Sequence, residues 1–294
     1  MVKMTRSGWV AEAHRACPVC AVHDAAPAYY LTRHVVVRCR NCDVMFNSQF
    51  PTREASAELF SQEYYLDVHK PAFEPQTVDY RDDGSMPIFE RGLQIIAERL
   101  GRRGILVDVG CGLGAFLKVA ESRGWVPYGV DISRHATAYV RATYGFEVFN
   151  GELMDAPFAD GSVDIVTLWD VIEHTTCPRE VLQKAHRLLK PDGLLLVTTD
   201  NFDCLISDIG VILYRVSCGR LRYALERLYI PYNCTYFTPA SFRSLLRDCS
   251  FEETFFEKME YPLSKVRANI GEKLALKTMY ALAKLLHRQA QFML

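Results

Sequence analysis

The sequence predicts an α/β protein whose doubly wound, mostly parallel sheet follows a small cysteine-rich module and precedes a C-terminal helix. Apolar strand-like runs alternate with helical periodicity from residue 105 to 199, and two Cys-x2-Cys pairs lie near the N-terminus. This alternation indicates a parallel sheet, because each parallel strand needs a crossover to return to the same edge. We expect a module at 1–50, a linker or lid at 51–87, an α/β domain at 88–262 with an insertion at 201–231, and a C-terminal helix at 263–294.

A glycine-rich turn between the first predicted strand and helix indicates a nucleoside site. An apolar run that contains Asp108 enters a turn with Gly110, Gly112 and Gly114. The first two glycines allow backbone amides to approach a ligand, and the third allows close packing of the helix on the strand. Asp131 ends a second apolar run about 20 residues later, the length of one strand–turn–helix unit. Its carboxylate, with about four acceptor sites, is predicted to bind ribose hydroxyls.

The segments downstream continue the alternation. Residues 165–169 form an apolar strand, and Pro178 suits the first turn of the next helix, where no backbone N–H is needed. The sequence Lys-Pro-Asp-Gly at 190–193 is predicted to end that helix, and a strand is predicted at 194–199. These segments supply the fourth and fifth strands of the predicted sheet.

Six short motifs occur in order over roughly 90 residues. They are Val-Asp-Val-Gly-Cys-Gly-Leu-Gly at 107–114, Gly-Val-Asp at 129–131, Asp-Ala-Pro-Phe at 155–158, Val-Asp at 163–164, Asp-Val-Ile-Glu-His at 170–174 and Leu-Lys-Pro-Asp-Gly at 189–193. On these motifs the chain resembles the class I S-adenosylmethionine-dependent methyltransferases that act on small molecules. The resemblance implies a Rossmann-like sheet, in which a terminal antiparallel strand is usual. No such strand is visible after 251–259, so the sheet is predicted to lack it.

The resemblance also implies S-adenosyl-L-methionine as the cofactor and assigns its contacts. The residues it assigns are Asp108, Gly110, Cys111, Gly112 and Gly114 at the methionine end, Asp131 with Ile132 at the ribose, Leu153, Met154 and Asp155 at the adenine, and Trp169 with Asp170 facing the reacting centre. An NAD-binding Rossmann domain is the nearest competitor, because its second strand also ends in an acid. The turn lacks the Gly-x-Gly-x-x-Gly spacing of that fold, which disfavours it.

Three polar residues after the fourth strand are the catalytic candidates. Asp170, Glu173 and His174 follow that strand at its carboxyl end, where open α/β sheets collect their ligands. His174 can serve as a general base, because its unperturbed pKa lies near neutral pH. Alternatively, Glu173 and His174 cap and orient the next helix. Related enzymes often have a histidine near position 233, but this chain has Asn233, which cannot be a base, and Tyr236 is left as a polar contact.

The N-terminal module is predicted to bind a structural Zn²⁺. Cys17 and Cys20 form one Cys-x2-Cys pair, Cys39 and Cys42 form another, and 18 residues separate the pairs, a spacing typical of a zinc ribbon. Four thiolates close the coordination shell, which leaves no position for substrate. A thioredoxin-like redox role is the alternative, but no βαβ pattern surrounds the cysteines.

The cysteine pairs and the segment behind them resemble the N-terminal part of zinc-containing methyltransferases of glycan and natural-product pathways. The resemblance implies that the linker, with Tyr64 and Tyr65, closes over the substrate; these tyrosines can equally pack the linker on the core. The insertion at 201–231 interleaves arginine with tyrosine. It is interpreted as a cover that grips phosphate or as a solvated helix pair.

Composition limits the classes of partner. A net charge of −1 gives no long-range attraction for nucleic acid, and no signal sequence or long apolar span is visible. A cytoplasmic location is expected. The C-terminal segment has Lys273, Lys277, Lys284 and Arg288 on one side and leucines on the other, so it can lie on the inner membrane face, pair with a partner subunit or pack on its own domain.

These observations predict a methyltransferase that methylates a small molecule, with O-methylation of a sugar or glycolipid precursor favoured. The expected acceptor is a nucleotide sugar or a lipid-linked glycan. Two alternatives stay open, a ribosomal RNA methyltransferase and a catalytically silent subunit that binds the cofactor and serves as a scaffold.

Overall fold

The computed structural model describes residues 9–11, 16–60, 84–260 and 270–294. Tyr64 and Tyr65 of the predicted lid, and residues 263–269 of the predicted C-terminal helix, lie outside these ranges. The chain divides into two compact units. The first unit comprises the described parts of Met1–Trp9, Pro51–Trp169 and Gln183–Val197, and the second those of Val10–Phe50, Asp170–Leu182 and Thr198–Leu294.

Strands and helices alternate through most of the described chain. The strands are β1 (Trp9–Ala11), β2 (Ala25–Tyr30), β3 (Val35–Cys39), β4 (Met45–Asn47), β5 (Gln49–Pro51), β6 (Ile105–Val109), β7 (Val126–Asp131), β8 (Val148–Asn150), β9 (Val163–Trp169), β10 (Leu189–Asp200), β11 (Thr235–Tyr236), β12 (Glu257–Met259) and β13 (Gln291–Met293). The helices are α1 (Arg53–Leu59), α2 (Met86–Leu100), α3 (Ala115–Ser122), α4 (Arg134–Tyr144), α5 (Pro178–Leu188), α6 (Leu205–Val216), α7 (Tyr223–Leu228), α8 (Pro239–Asp248) and α9 (Ile270–Leu285). Short 3₁₀ turns cover Leu153–Asp155 and Ile172–His174.

The first unit contains the predicted parallel sheet, with strand order β10-β9-β6-β7-β8. Strand β6 is parallel to both β7 and β9, and β7 is parallel to β8. Strand β9 is buried over nearly its whole length, as expected for a strand covered on both faces. The mostly parallel, doubly wound sheet is confirmed.

Local signals set the helix boundaries beside this sheet. Helix α4 begins after Ser133, whose Oγ accepts a hydrogen bond from the Ala136 N–H, and it ends at Gly145, which has a φ of 73°. Glycine adopts this left-handed conformation without the steric penalty of a Cβ. Helix α5 ends at Leu188, as the Lys-Pro-Asp-Gly segment predicted. The predicted start of the next strand at 194 is wrong, because β10 already begins at Leu189. Lys190 donates to the Asp164 carboxylate at the start of β9, which holds this segment against the sheet.

The second unit contains an antiparallel sheet with the order β11-β4-β3-β2. Strands β2 and β3 form a hairpin, β4 continues it, and the downstream strand β11 pairs with β4. Its core joins buried residues of the hairpin to side chains from the 201–236 region: Tyr29, Leu31, Val36, Phe202, Leu225, Tyr229 and Tyr236. The predicted domain boundaries at 50, 87 and 262 stay predictions.

The end of the chain differs from the sequence-based expectation. Helix α9 ends at Leu285, and strand β13 follows, antiparallel to both the end of β10 and β12. The prediction that the terminal antiparallel strand is absent is therefore wrong, as is the prediction of a helix to residue 294. The strand has three residues, too few for a period-2 pattern to be visible, and His287 turns the chain with a φ of 54°. None of the described helices is long and apolar enough to cross a bilayer.

Candidate functional site

The glycine turn lies at the carboxyl end of β6 in the first unit. Gly110, Gly112 and Gly114 have φ values of 70°, 51° and 82°, a region that side chains with a Cβ rarely adopt. The Gly110 N–H donates to the Val130 carbonyl at 2.7 Å, and the Gly114 N–H donates to the Cys111 carbonyl at 3.0 Å. The turn is thus tied to β7. The positive φ angles by themselves favour glycine at these three positions. Close approach of a ligand to the backbone is therefore not the whole reason for glycine there.

Asp131 clamps this turn from the end of β7. One carboxylate oxygen accepts from the Gly112 N–H at 2.9 Å, and the other accepts from the Ser133 N–H at 2.8 Å. Asn150 donates its amide to the carbonyls of Asp131 and Ile132, each at 3.1 Å. Burial raises the pKa of Asp131, and the two backbone hydrogen bonds oppose that shift. Two of about four acceptor sites are occupied, so the carboxylate can still accept from a ribose diol.

Asp108 is buried inside the sheet. Its carboxylate accepts a hydrogen bond of 2.6 Å from the Thr167 hydroxyl, across the paired positions of β6 and β9. Burial raises the pKa of Asp108 to about 8, the negative charge of Asp131 adds to the increase, and the Thr167 hydrogen bond opposes it. The geometry supports a role in joining the two strands. The predicted contact of Asp108 with the methionine end of the cofactor stays a prediction.

The residues assigned to the adenine form the 3₁₀ turn Leu153–Asp155. Leu153 is buried, Met154 is half-buried and Asp155 is exposed, where its carboxylate pairs with Arg53. The side chain of Cys111 lies in a core cluster with Leu117, Val140, Phe146 and Val148. Its backbone therefore belongs to the turn, whereas its thiol serves packing.

Trp169 ends β9 and packs within the first unit. Its ring centroid lies 5.0 Å from that of Phe89 and 4.8 Å from that of Phe116. Gly92 of α2 makes room for the ring, because a Cβ at that position would lie 2.4 Å from the nearest Trp169 carbon. The buried Trp169 Nε1 has no hydrogen-bond partner among the described residues. A buried donor without a partner is costly, so this atom suits a ligand acceptor.

The second unit holds the candidate acids and base. Asp170 has a left-handed φ of 55°, and its Oδ1 accepts from the Thr198 hydroxyl at 3.0 Å and from the Gln291 side-chain amide at 2.6 Å. Non-glycine residues in this conformation carry strain of about 1–3 kcal/mol and persist where surrounding contacts fix them. Strand β13, which the sequence did not predict, therefore orients Asp170.

Two further carboxyl groups surround Asp170. Glu173 is buried and accepts from the Thr199 hydroxyl at 2.9 Å. Burial raises the pKa of Glu173 well above its usual range, and the charges of Asp170 and Asp200 add to the increase. Burial and Asp170 likewise raise the pKa of Asp200 to about 7. Asp200 was missed by the sequence reasoning, although its position at the end of the fifth strand was a signal.

His174 lies in the second 3₁₀ turn, half-buried. Its Nδ1 lies 3.3 Å from the Tyr232 carbonyl, a contact that makes Nδ1 the donor and leaves the proton-accepting lone pair on Nε2. Burial lowers the pKa of His174 to about 4, and the Tyr232 contact opposes that shift. The imidazole is consequently neutral at physiological pH. The side chain of Glu173 bonds Thr199 of strand β10, and the alternative role of Glu173 and His174 at the next helix stays a prediction.

The polar residues around Asn233 are buried, although polar side chains usually lie at the surface. The side-chain amide of Asn233 is buried and lowers the pKa of Asp200, yet neither polar atom is in hydrogen-bond geometry with a described residue. Tyr236 is also fully buried, and its hydroxyl donates to the Ile230 carbonyl at 3.1 Å. The hydroxyl also lies 3.1 Å from His34 Nε2. Tyr236 is therefore part of the core of the second unit and not an exposed polar contact.

The four N-terminal cysteines converge. The Sγ atoms of Cys17 and Cys42 are 3.5 Å apart, as are those of Cys20 and Cys39, and all four lie within 4.8 Å of one another. A disulfide needs about 2.05 Å between sulfurs, whereas tetrahedral zinc with Zn–S bonds of about 2.3 Å separates them by about 3.8 Å. The arrangement fits a four-thiolate metal site.

The sheet order and the acid-bearing glycine turn define the Rossmann-like methyltransferase class of fold. A family model described as a methyltransferase domain matches residues 86–253. This range is more than half of the chain, and the protein belongs to that family. A crystal structure of an S-adenosylmethionine-dependent methyltransferase from Archaeoglobus fulgidus is similar with a TM-score of 0.53 at 20% identity, covering 78% of this chain and 97% of that one.

Curated relatives match part of the chain. A probable S-adenosylmethionine-dependent methyltransferase of Mycolicibacterium smegmatis is 33% identical over 109 residues, which are 37% of this chain and 42% of the relative. A ubiquinone biosynthesis O-methyltransferase of Pseudomonas paraeruginosa is 32% identical over 114 residues, 36% of this chain and 49% of the relative. The matched segment thus spans less than half the length of these relatives.

Proposed function

We propose that the protein is an S-adenosylmethionine-dependent methyltransferase that methylates an oxygen of a small molecule, a sugar or glycolipid precursor. The observation that carries the proposal is the Asp131 carboxylate hydrogen-bonded to the Gly112 amide, in a chain whose family is methyltransferase. The curated relatives support the reaction class, and the O-methyltransferase among them supports oxygen as the acceptor atom.

The residues of the first unit fit the cofactor. Asp131 would hold the ribose, Leu153 and Met154 the adenine, and the Asp108–Gly114 turn the methionine end, with the Trp169 Nε1 as a donor. When bound, S-adenosyl-L-methionine supplies an activated methyl group on a sulfonium sulfur. The half-buried Trp169, packed on two phenylalanines, supplies an apolar wall that excludes water from a displacement reaction.

An acceptor hydroxyl must lose its proton as it is methylated, and we assign His174 as the base. The imidazole is neutral, and its Nδ1 contact with the Tyr232 carbonyl fixes the tautomer in which Nε2 is the basic nitrogen. Asp170 is assigned to acceptor positioning, since Thr198 and Gln291 hold its carboxylate in one orientation. Glu173 is assigned a structural role because its carboxyl is buried and accepts a hydrogen bond from Thr199.

Calorimetry with S-adenosyl-L-methionine tests the cofactor site. Asp131→Ala removes the ribose acceptor and two backbone partners, so binding is expected to fall at least tenfold, whereas the exposed control Asp160→Ala should bind as the wild type does. Denaturant unfolding of both variants separates lost binding from lost folding. Equal affinity in wild type and Asp131→Ala would overturn the cofactor assignment.

Transfer of labelled methyl groups tests the reaction and its acceptor. Label from S-adenosyl-L-methionine is expected in glycan or glycolipid fractions and not in RNA. His174→Gln should lower kcat by about 10²-fold to 10⁴-fold with little change in KM. A protein that binds the cofactor but labels no glycan, lipid or RNA pool would be the catalytically silent scaffold.

We also propose that Cys17, Cys20, Cys39 and Cys42 bind a structural Zn²⁺. Metal analysis should find about one zinc per chain, and Cys39→Ser should reduce the content, whereas Cys177→Ser outside the cluster should leave it unchanged. Thermal unfolding of the zinc-depleted protein is expected at a lower temperature. Full-length protein of unchanged stability without metal would refute the zinc site.

A further inference from the structure

Helix α6 has an apolar face that is exposed. Ile209 precedes Ile212 and Leu213 by three and four residues, and Val216 follows the same two by four and three, so the four side chains lie within an arc of about 100° on one side of the helix. All four are exposed, Ile212 by 59% and Val216 by 73%. Burying such side chains stabilises a fold, so four left exposed on one face indicate a docking surface.

The exposed apolar residues concentrate in two segments of the second unit. Among the side chains that the structure describes, ten of the thirteen exposed large hydrophobic residues lie in residues 209–223 and 274–286. Those of the second segment include Leu274, Leu282 and Leu285 of helix α9, the last exposed by 76%. A chance scatter of surface leucines would not produce this concentration.

The two helices are fixed to each other. Arg288, just after α9, forms ion pairs with Asp208 at 2.7 Å and with Asp203 at 3.0 Å. The Leu205 N–H at the start of α6 donates to the Arg288 carbonyl at 3.0 Å. These contacts join the residue after α9 to the start of α6 within the second unit. We call the exposed apolar residues of α6 and α9 the α6–α9 surface.

Charge identifies the kind of partner. Residues 209–223 contain Arg215, Arg220 and Arg222, all exposed, and no acid. Residues 274–286 contain Lys277 and Lys284, both exposed, and again no acid. A chain with a net charge of −1 thus collects cations around its exposed apolar residues. Apolar residues flanked by Arg and Lys match an interfacial helix on anionic lipid, where the side chains enter the headgroup boundary and the cations meet phosphate.

We propose that the α6–α9 surface docks the protein on an anionic lipid bilayer. Helix α6 supplies the apolar stripe that enters the bilayer, and the arginines that follow it contact the lipid phosphates. The sequence indicated only the C-terminal helix as a membrane contact, whereas the structure assigns the larger share to α6. The docking does not depend on methyl transfer.

Flotation with vesicles tests the docking without cofactor or acceptor. The full-length protein is expected to float with vesicles of phosphatidylcholine and phosphatidylglycerol, and not with phosphatidylcholine alone. Val216→Asp should weaken binding at least tenfold, because it places a charge in the stripe. The matched control Val126→Asp changes a residue exposed by 52% in the first unit and should bind as the wild type does. Circular dichroism checks that both variants fold.

A double variant, Arg220→Glu with Arg222→Glu, tests the role of charge and should bind anionic vesicles more weakly than the wild type. Raising the salt concentration should also weaken the binding of the wild type. Binding that ignores lipid charge, or that is equal in Val216→Asp and wild type, would overturn the proposal. Sedimentation tests the alternative that a second copy of the chain covers this surface. If the wild type is a dimer that does not bind vesicles, and Val216→Asp is a monomer, the surface is a subunit interface. Unchanged vesicle binding in Asp131→Ala separates this result from failure of the cofactor site.

Discussion

At the scale of single residues, several acidic residues of the sequence motifs make hydrogen bonds that stabilise the fold. The motifs alone did not predict these bonds. Asp131 holds the glycine turn and the start of α4 through two backbone amides, and Asp108 joins β6 to β9 through Thr167. The Val-Asp motif at 163–164 also has a structural basis. Asp164 is buried, accepts from the Ile105 N–H and pairs with Arg102 and Lys190.

The buried Asp108 makes stability depend on pH. Its folded pKa is about 8, above the unfolded value of about 3.9, so its contribution is full below the unfolded value and is lost as pH rises through the folded one. The free energy of unfolding should decline by up to about 1.4 kcal/mol per pH unit between those values. Asp108→Asn should reduce this slope in urea titrations at several pH values, whereas Asp160→Asn should retain it in full; the slope left in Asp108→Asn belongs to the other buried acids with raised pKa values, among them Asp200. A slope unchanged in Asp108→Asn would contradict the assignment.

Asp164→Asn should destabilise the protein. Burial disfavours the ionised form, but hydrogen bonds from Lys190, the Ile105 N–H and Arg102 outweigh it and hold the pKa of Asp164 below its usual range. Loss of charge-assisted hydrogen bonds costs about 1.5–3 kcal/mol. The control Asp192→Asn changes the exposed partner of Arg102 and should cost less than about 1 kcal/mol. Chemical denaturation measures the free energy of unfolding of both variants. Equal losses in Asp164→Asn and Asp192→Asn would contradict the stabilising role of the buried Asp164 carboxylate.

At the scale of elements, β13 completes the strand pairing of the second unit and reaches the candidate site through Gln291. Its Phe292 is fully buried, and the ring centroid lies 5.8 Å from that of Phe242 and 6.0 Å from that of Phe256.

The hairpin of β2 and β3 also depends on distant residues, since its sheet includes β11. The fold of the N-terminal module therefore depends on apolar packing, because the module shares a core with residues 202–236.

Phe292→Ala should destabilise the fold by about 3–5 kcal/mol, because it leaves a cavity in a packed aromatic cluster. Leu285→Ala, at a residue exposed by 76%, should change stability by less than about 0.5 kcal/mol. Thermal and urea unfolding give both values. Since β13 orients Asp170, methyl transfer should also decline in Phe292→Ala; a stable, fully active variant would show that β13 does not support the site.

At the scale of the whole molecule, the distribution of charge bears on the kind of partner that the protein binds. The net charge of −1 is distributed over 34 basic and 35 acidic residues, whereas proteins that bind nucleic acid are usually basic in a domain or patch. The exposed arginines and lysines of the α6–α9 surface accompany apolar side chains, which favours lipid over RNA as their partner.

The protein is accordingly expected to bind RNA weakly. Filter binding with ribosomal RNA at physiological salt should show no retention above that of a neutral control protein, and Arg220→Glu should leave the result unchanged. Tight, salt-dependent retention together with methyl label in ribosomal RNA would instead favour the ribosomal RNA methyltransferase.

The sequence by itself determined the features that depend on local pattern. The alternation of strands β6, β7 and β9 with their helices, the glycine turn, Asp131 and the two cysteine pairs were all predictable, because periodicity and fixed spacing are properties of neighbouring residues. Tertiary structure decided the rest. Strand β13, the β11–β4 pairing and the carboxyl cluster of Asp170, Glu173 and Asp200 bring together residues far apart in the chain, and their burial and pKa values follow from packing that no local pattern encodes.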